Sequence, residues 1–116
     1  MTSSTLRIGT GAGFSSDRLD PAVDLARRGN LDFIVFECVG ERTLAFGHRD
    51  RRLNADRGYN PLLERRLRAI LPDCRLNGTR IITNMGVANP LAAARLAVDV
   101  ARDMGLAGFR VAAVLG

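Results

Sequence analysis

The chain has 116 residues, of which 47% are hydrophobic and 25% are charged, and this is the composition of a single globular domain. The formal net charge is +5 and every basic residue is an arginine, so nucleic-acid binding has to be considered. Aromatic residues make up only 5% of the chain and no nucleic-acid-reading motif accompanies the arginines, which argues against that function. We therefore expect no nucleic-acid partner. Because no apolar run is long enough to cross a bilayer and no secretion signal opens the chain, we also expect a cytoplasmic protein that does not bind membrane.

The segment LRIGTGAGFSSDR, residues 6–18, begins as an apolar strand and continues as a glycine-rich turn. Its glycines, Gly9, Gly11 and Gly13, are typical of a dinucleotide-binding loop. The dinucleotide fingerprint needs G-x-G-x-x-G, but counting from Gly9 puts Phe14 at the third place and counting from Gly11 puts Ser16 there. The spacing therefore predicts no NAD or FAD site. Two alternatives stay open, a small-residue turn that approaches a neighbouring loop closely and a loop that binds an anion or an acyl ligand.

Asx-Pro pairs and glycines divide the rest of the chain into helices. Asp or Asn caps free N–H groups, proline fits the first helical turn, and glycine takes the left-handed conformation after the last turn. This pattern predicts helices over residues 20–29, 60–78 and 89–105, and ERTLAFGHRDRRL supplies a further one over residues 41–53. Pro72 lies inside the helix at 60–78, and because the apolar stripe resumes at Cys74 we expect one kinked helix. Six arginines of the two middle helices are expected on solvated faces or at a partner contact: Arg49, Arg51, Arg52, Arg65, Arg66 and Arg68.

Four short apolar runs alternate with these helices. They begin near Leu6, Asp32, Arg80 and Arg110 and are nearly continuous in apolar character, as in strands that are buried on both faces. We therefore predict an α/β fold with a parallel sheet of about four strands alternating with helices. Its core is expected to include one central residue of each strand, namely Ile8, Val35, Ile82 and Val114.

The fourth predicted strand reaches the last residue without a covering helix, although a parallel strand needs both faces buried. Residues 1–116 are therefore expected to form a single α/β domain that is incomplete, or the N-terminal fragment of a larger one. The uncovered fourth strand is expected to meet a protein partner or a second copy of the chain.

The cysteines and the histidine indicate no metal site. Cys38 and Cys74 are far apart in the sequence, and His48 is the only histidine. We therefore expect both cysteines to be buried free thiols.

Polar side chains collect in the turns that follow the strands. Ligands of parallel α/β folds bind at the carboxyl ends of the strands, and these turns share that edge. We expect Glu37 or Glu41 to act there as a general acid or base. The substrate-binding candidates in the same turns are Gly11, Gly13, Asp17, Arg18, Arg42, Asn84 and Asn89. In the alternative interpretation, Glu37 and Arg42 only pair across loops and cap helices, because ion-pair networks also collect at such edges.

Two long strings carry a resemblance to a known family. RIGTGAGFSSDRLDPAVDLARRGNLDFIVFECVGERT and GYNPLLERRLRAILPDCRLNGTRIITNMGVANPLAAA resemble the N-terminal part of the acyclic terpene utilisation protein A family. The resemblance runs from about Leu6 to the end of the chain. It implies a bacterial protein linked to the catabolism of citronellol and geraniol or of related branched acyl-CoA compounds, and it implies no particular reaction or cofactor. Family members are longer, which agrees with the expectation of an incomplete domain.

The resemblance leaves two classes of function open. In the first, the chain is an enzyme that binds a small branched acid or its coenzyme A thioester at the strand-end edge, where Arg18 or Arg42 pairs with an anionic group and Asn84 donates a hydrogen bond to a carbonyl. In the second, it is a non-catalytic subunit of an acyl-CoA catabolic assembly. A nucleotide-binding domain is a further alternative.

Overall fold

A computed structural model describes residues 4–116 of the chain. The elements follow the order β1 (Ile8–Ala12), α1 (Asp20–Arg28), β2 (Phe33–Phe36), α2 (Glu41–Leu53), α3 (Leu63–Asn77), β3 (Arg80–Thr83) and α4 (Pro90–Asp103). The strands form one parallel sheet in the order β1-β2-β3, in which Phe33 stands opposite both Ile8 and Arg80. The predicted α/β fold with a parallel sheet is confirmed.

Predicted capping residues form two of the helix ends, whereas Gly29, after α1, has φ −76° and not the left-handed conformation predicted for it. Asn89 precedes α4, and its side chain accepts a hydrogen bond from the amide of Ala92, as expected of a capping residue. Helix α3 continues through Pro72 and ends before Gly78, which has φ +67°, a conformation that costs glycine little. Within residues 4–116, no helix combines the length and the apolar character that spanning a membrane requires.

All of the packed helices lie on one face of the sheet. Ile34 and Phe36 of β2 point to that face and are fully buried against α1, α3 and α4. The opposite face, called here the open face, carries little cover: Ile8 is 60% exposed and Ile82 is 53% exposed. The strand register places six side chains on the open face, namely those of Ile8, Thr10, Phe33, Val35, Arg80 and Ile82.

The predicted fourth strand is absent from the described chain. Residues 110–116 pair with no strand, and Val114 is 89% exposed. Two contacts hold the start of this segment beside the helices: the ring of Phe109 lies 5.5 Å from the guanidinium of Arg75, and Val111 lines a depression on α4. The apolar run is therefore placed near the helices and not beside β3.

The prediction that Ile8, Val35, Ile82 and Val114 form the core is wrong for a related reason. Ile8 and Ile82 lie on the open face, Val35 is only half-buried there, and Val114 belongs to the segment without a strand. Continuous apolar character in a strand indicates burial on both faces, but the described helices cover only one. The residues that do form the core of the sheet are the alternate ones, Ile34 and Phe36.

Candidate functional site

The carboxyl ends of β2 and β3 bring together a carboxylate and an amide. Glu37 directly follows β2 and Asn84 directly follows β3. The side-chain nitrogen Nδ2 of Asn84 donates a hydrogen bond to Oε1 of Glu37 at 2.9 Å. The same amide accepts a hydrogen bond at Oδ1 from the backbone of Cys38 at 2.7 Å. Asn84 therefore fixes both the side chain of Glu37 and the backbone that follows it.

These contacts set the protonation state of Glu37. The pKa of Glu37 is lowered from its ordinary value, first by the hydrogen bond from Asn84 and then by the backbone N–H of Val39, 3.1 Å from Oε1. Hydrogen bonds to a carboxylate favour its charged form. Glu37 is thus ionised at neutral pH, and both hydrogen bonds fall on the same oxygen.

The glycine-rich turn after β1 is closed by its own carboxylate. Oδ2 of Asp17 accepts from the backbone N–H of Gly13 at 2.9 Å, and Oδ1 accepts from the backbone N–H of Arg18 at 2.8 Å. The hydrogen bond from Gly13 is the first cause, and that from Arg18 the second, of a lowered pKa at Asp17. A phosphate-cradling loop offers free backbone N–H groups to its ligand, whereas in this turn the Gly13 amide is already bound to Asp17.

The glycines of β1 are packed against other side chains. A Cβ atom added at Gly9 would lie 2.5 Å from the Leu31 side chain, and one added at Gly11 would lie 2.6 Å from the ring of Phe36. At Gly13 the nearest atom would be the Asp17 carboxylate, at 3.9 Å. Of the two alternatives that the sequence left open for this segment, the close approach to neighbouring residues describes Gly9 and Gly11.

The other candidate residues make no side-chain hydrogen bond or ion pair with Glu37 or Asn84 in the described chain. Arg18 forms an exposed ion pair with Asp20 at 3.7 Å. Glu41 and Arg42 are exposed at the start of α2, and their side chains make no hydrogen bond or ion pair with residues 4–116. Asn89 is buried and donates to the carbonyl oxygens of Ala55 and Arg57. The amide of Asn89 thereby fixes the loop before α3 and caps α4.

The structure adds Arg66, which the sequence placed on a solvated helix face. That prediction is wrong for Arg66, because its side chain is only 2% exposed. Its guanidinium reaches the loops that follow all three strands: Nη2 donates to the carbonyl of Asp17 at 3.1 Å, and Nη1 lies 3.5 Å from Sγ of Cys38 and 3.6 Å from Sδ of Met85. One signal for this existed, since Arg66 lies three residues after Leu63 and four before Ile70, both of them on the apolar stripe of α3.

Both cysteines are buried and free, as the sequence predicted. Burial raises the pKa of the Cys38 thiol, although Arg66 acts in the opposite direction. Burial also raises the pKa of Cys74 to about 11. Both side chains are therefore neutral thiols at physiological pH. Among residues 4–116, no group of three His, Cys, Asp or Glu side chains is arranged to hold a metal ion.

Two shallow surface depressions lie beside helices α1 and α4. One, of about 490 Å³, is lined by the first turn of α1, from Asp20 to Asp24. The other, of about 270 Å³, is lined by α4 and Val111. Neither includes Glu37, Asn84 or Arg66.

Comparison with known protein families shows which family the chain belongs to. Residues 6–116 match the family described as acyclic terpene utilisation family protein AtuA. The chain belongs to this family. Searches of curated proteins and of solved structures gave no significant match. The residues discussed above all fall within the part that matches the AtuA family.

Proposed function

We propose that this AtuA-family chain acts in the breakdown of citronellol, geraniol or related acyclic terpenes by binding a small branched carboxylic acid or its coenzyme A thioester. Family membership supports a role in acyclic terpene utilisation. We assign the ligand to the carboxyl edge of the sheet, because parallel α/β folds bind small molecules there. The observation that carries this assignment is the hydrogen-bonded pair of Glu37 and Asn84, whose residues follow adjacent strands.

Glu37 is the proposed proton acceptor. Its side chain is exposed, and its hydrogen bonds with residues 4–116 use only Oε1. Oε2 is therefore available to a ligand hydroxyl group or to a water molecule. The lowered pKa leaves Glu37 ionised at neutral pH, so that the carboxylate can accept a proton and not donate one, and the same shift makes it a weaker base than an ordinary carboxylate. Glu41, exposed one turn further along the chain, is the second candidate for the same role.

The anionic part of a thioester would meet arginines at the same edge. Arg18 follows β1 and Arg42 lies in the first turn of α2. Both side chains are exposed, so pairing with the phosphate groups of coenzyme A needs no rearrangement of the fold. Guanidinium groups bind phosphate oxygens through paired hydrogen bonds.

A second candidate function, that of a non-catalytic subunit, rests on the open face. Ile8 and Ile82 are exposed on a parallel sheet, and parallel sheets are normally covered on both faces. Contiguous exposed apolar surface marks sites of protein association. In this alternative, an enzyme of acyl-CoA catabolism would cover the open face and the strand-end residues would have no chemical role.

Growth on a terpene tests the two functions together. The gene is deleted from a strain that grows on citronellol, and the strain is complemented with the wild type, with Glu37→Gln or with Ile82→Asp. We expect Glu37→Gln to abolish growth on citronellol while growth on succinate is normal. A loss of roughly 100-fold or more in rate is the usual effect of removing a general base.

The control is Asp99→Asn, an exposed carboxylate on α4 far from the strand ends, which should support full growth. Thermal unfolding of each purified variant shows whether it is folded. Full growth with Glu37→Gln and none with Ile82→Asp, both folded, would contradict the first function and support the second. If the deleted strain still grows on citronellol, the role in terpene breakdown is wrong.

A further inference from the structure

Arg66 is the most deeply buried charged group of the described chain. Only 2% of the residue is exposed, because position 66 lies on the buried face of α3 with Leu63 and Ile70. Removing a guanidinium from water is costly unless an opposite charge and good hydrogen bonds replace the water. The burial of Arg66 therefore calls for an opposite charge or strong hydrogen bonds around its guanidinium.

The contacts that the structure gives Arg66 are weak and uncharged. Nη2 donates to one carbonyl oxygen, that of Asp17, at 3.1 Å. Nη1 faces two sulfur atoms, at 3.5 Å in Cys38 and 3.6 Å in Met85. A thioether and a thiol are weak acceptors, and Cys38 is a neutral thiol because burial raises its pKa. The groups in direct contact with the guanidinium are thus neutral, and the Asp17 carboxylate, whose pKa Arg66 helps to lower, acts on it only from beyond ion-pair distance.

The nearby carboxylates are bound elsewhere. Asp17 contributes its backbone carbonyl to Arg66, while its carboxylate oxygens bind the amides of Gly13 and Arg18. Glu37 is held by Asn84 and by the amide of Val39. No carboxylate within residues 4–116 lies within ion-pair distance, 4.0 Å, of the Arg66 guanidinium.

We propose that Arg66 is the anchor for a carboxylate group of the ligand, bound at Nη1 between Cys38 and Met85. This inference rests on the proposed ligand site at the carboxyl edge and specifies its substrate class as a free carboxylic acid. Met85 and Cys38 are fully buried, so the proposed binding requires the Met85 side chain, which has three rotatable bonds, to turn away from Nη1. The incoming carboxylate then replaces two weak acceptors with charge-assisted hydrogen bonds.

A carboxylate suits this position better than a phosphate. The planar guanidinium matches the two oxygens of a carboxylate. Phosphate sites usually add backbone N–H groups from a glycine-rich turn, and in this chain the Gly13 amide is occupied by Asp17. The site therefore offers one cation and few further donors.

The test compares an acid with its neutral analogue. The purified chain, labelled with ¹⁵N, is titrated with 3-methylbutanoate, 3-methylbutanamide or inorganic phosphate while backbone amide signals are recorded. We expect saturable shifts at Cys38 and Met85 with the acid alone. Arg66→Met, which fills the same space without charge, should weaken acid binding by roughly tenfold or more, the usual effect of losing a hydrogen bond to a charged group. Arg65→Met, at the exposed neighbouring position, should bind the acid like the wild type.

Each outcome decides the inference. Equal shifts with acid and amide, shifts with phosphate alone, or unchanged acid binding by folded Arg66→Met would overturn it. Arg66→Lys is the second variant, and it should show intermediate affinity because it keeps the charge and loses the fork. If both Arg66 variants unfold, the wild-type comparison of acid and amide decides. Acid binding that persists while Glu37→Gln supports full growth would uphold the anchor and contradict the proposed role of Glu37.

Discussion

Asn84 shows how one side chain can set both the charge and the position of another. Its Nδ2 group binds the Glu37 carboxylate and its Oδ1 atom binds the Cys38 amide. The hydrogen bonds that an exposed carboxylate accepts keep it ionised without burial. The proposed base is therefore held in one orientation at the surface by a residue from the adjacent strand end.

Removing this amide should change the titration of Glu37. In Asn84→Ala we expect the pKa of Glu37 to rise toward its ordinary value, because the largest cause of the lowered pKa is lost. In the wild type, the lowered pKa stabilises the fold at pH values above the pKa of the unfolded chain, and this contribution disappears as the pH falls through the folded value. Carboxyl ¹³C NMR titration measures the shift, with Asn54→Ala as a control at an exposed asparagine. An unchanged titration in Asn84→Ala would show that Asn84 does not hold Glu37.

Among single residues, the order of the predicted strands was the feature that best indicated which side chains lie together at the candidate site. Glu37 and Asn84 were both assigned to one edge because each follows a predicted parallel strand, and the structure brings their side chains into contact. Arg66 was missed because an arginine within a helix is normally solvated. Its burial depends on where α3 meets the three strand-end loops, and that is a tertiary contact that local spacing does not specify.

Strand β1 and its turn show two different uses of glycine. Gly9 and Gly11 lie within β1, where a side chain would collide with Leu31 or Phe36. Gly11 also lies at the register shift between Thr10 and Ala12, where β1 departs from regular pairing with β2. Gly13 has open space beside it and gives its amide to Asp17. The glycines resemble a nucleotide loop in sequence, but two of them serve packing.

Paired alanine substitutions separate these uses. Gly11→Ala should lower the free energy of unfolding by about 1 to 3 kcal/mol, because the new methyl group overlaps the buried ring of Phe36. Gly13→Ala should change it by less than about 0.5 kcal/mol, as for a surface position with room for a methyl group. Urea unfolding of both variants measures the difference. Equal losses of stability in the two variants would show that Gly11 is not closely packed against Phe36.

Among the elements, helices were easier to predict than strands. Asx-Pro pairs and terminal glycines are local signals, and they located α1, α3 and α4 to within a few residues. A strand exists only when another strand accepts its hydrogen bonds. The apolar run at residues 110–116 has the composition of a strand but pairs with neither of the two edge strands, β1 and β3, of the described chain. Its start is held by Phe109 and Val111 near the helices.

At the scale of the whole molecule, the sheet is wound in one direction. Of the connecting helices, α1 and α3 pack on the same face of the sheet β1-β2-β3, as right-handed crossovers require. The carboxyl edge and the open face are therefore separate surfaces. The first carries Glu37, Asn84 and the loops around Arg66, and the second carries the exposed isoleucines. A ligand and a protein partner could each occupy its own surface without competing.

Binding of an acyl ligand at the carboxyl edge of the sheet is tested most directly by mapping where such a ligand binds. Backbone amide signals of the ¹⁵N-labelled chain are followed during titration with 3-methylbutanoate and, separately, with 3-methylbutanoyl-coenzyme A. We predict saturable shifts at Glu37, Cys38, Asn84 and Met85 with at least one of the two ligands, because these residues form the carboxyl edge. Saturable shifts confined to the α1 or α4 depression, or to the open face, would contradict ligand binding at Glu37 and Asn84. The absence of saturable shifts with both ligands would contradict it as well.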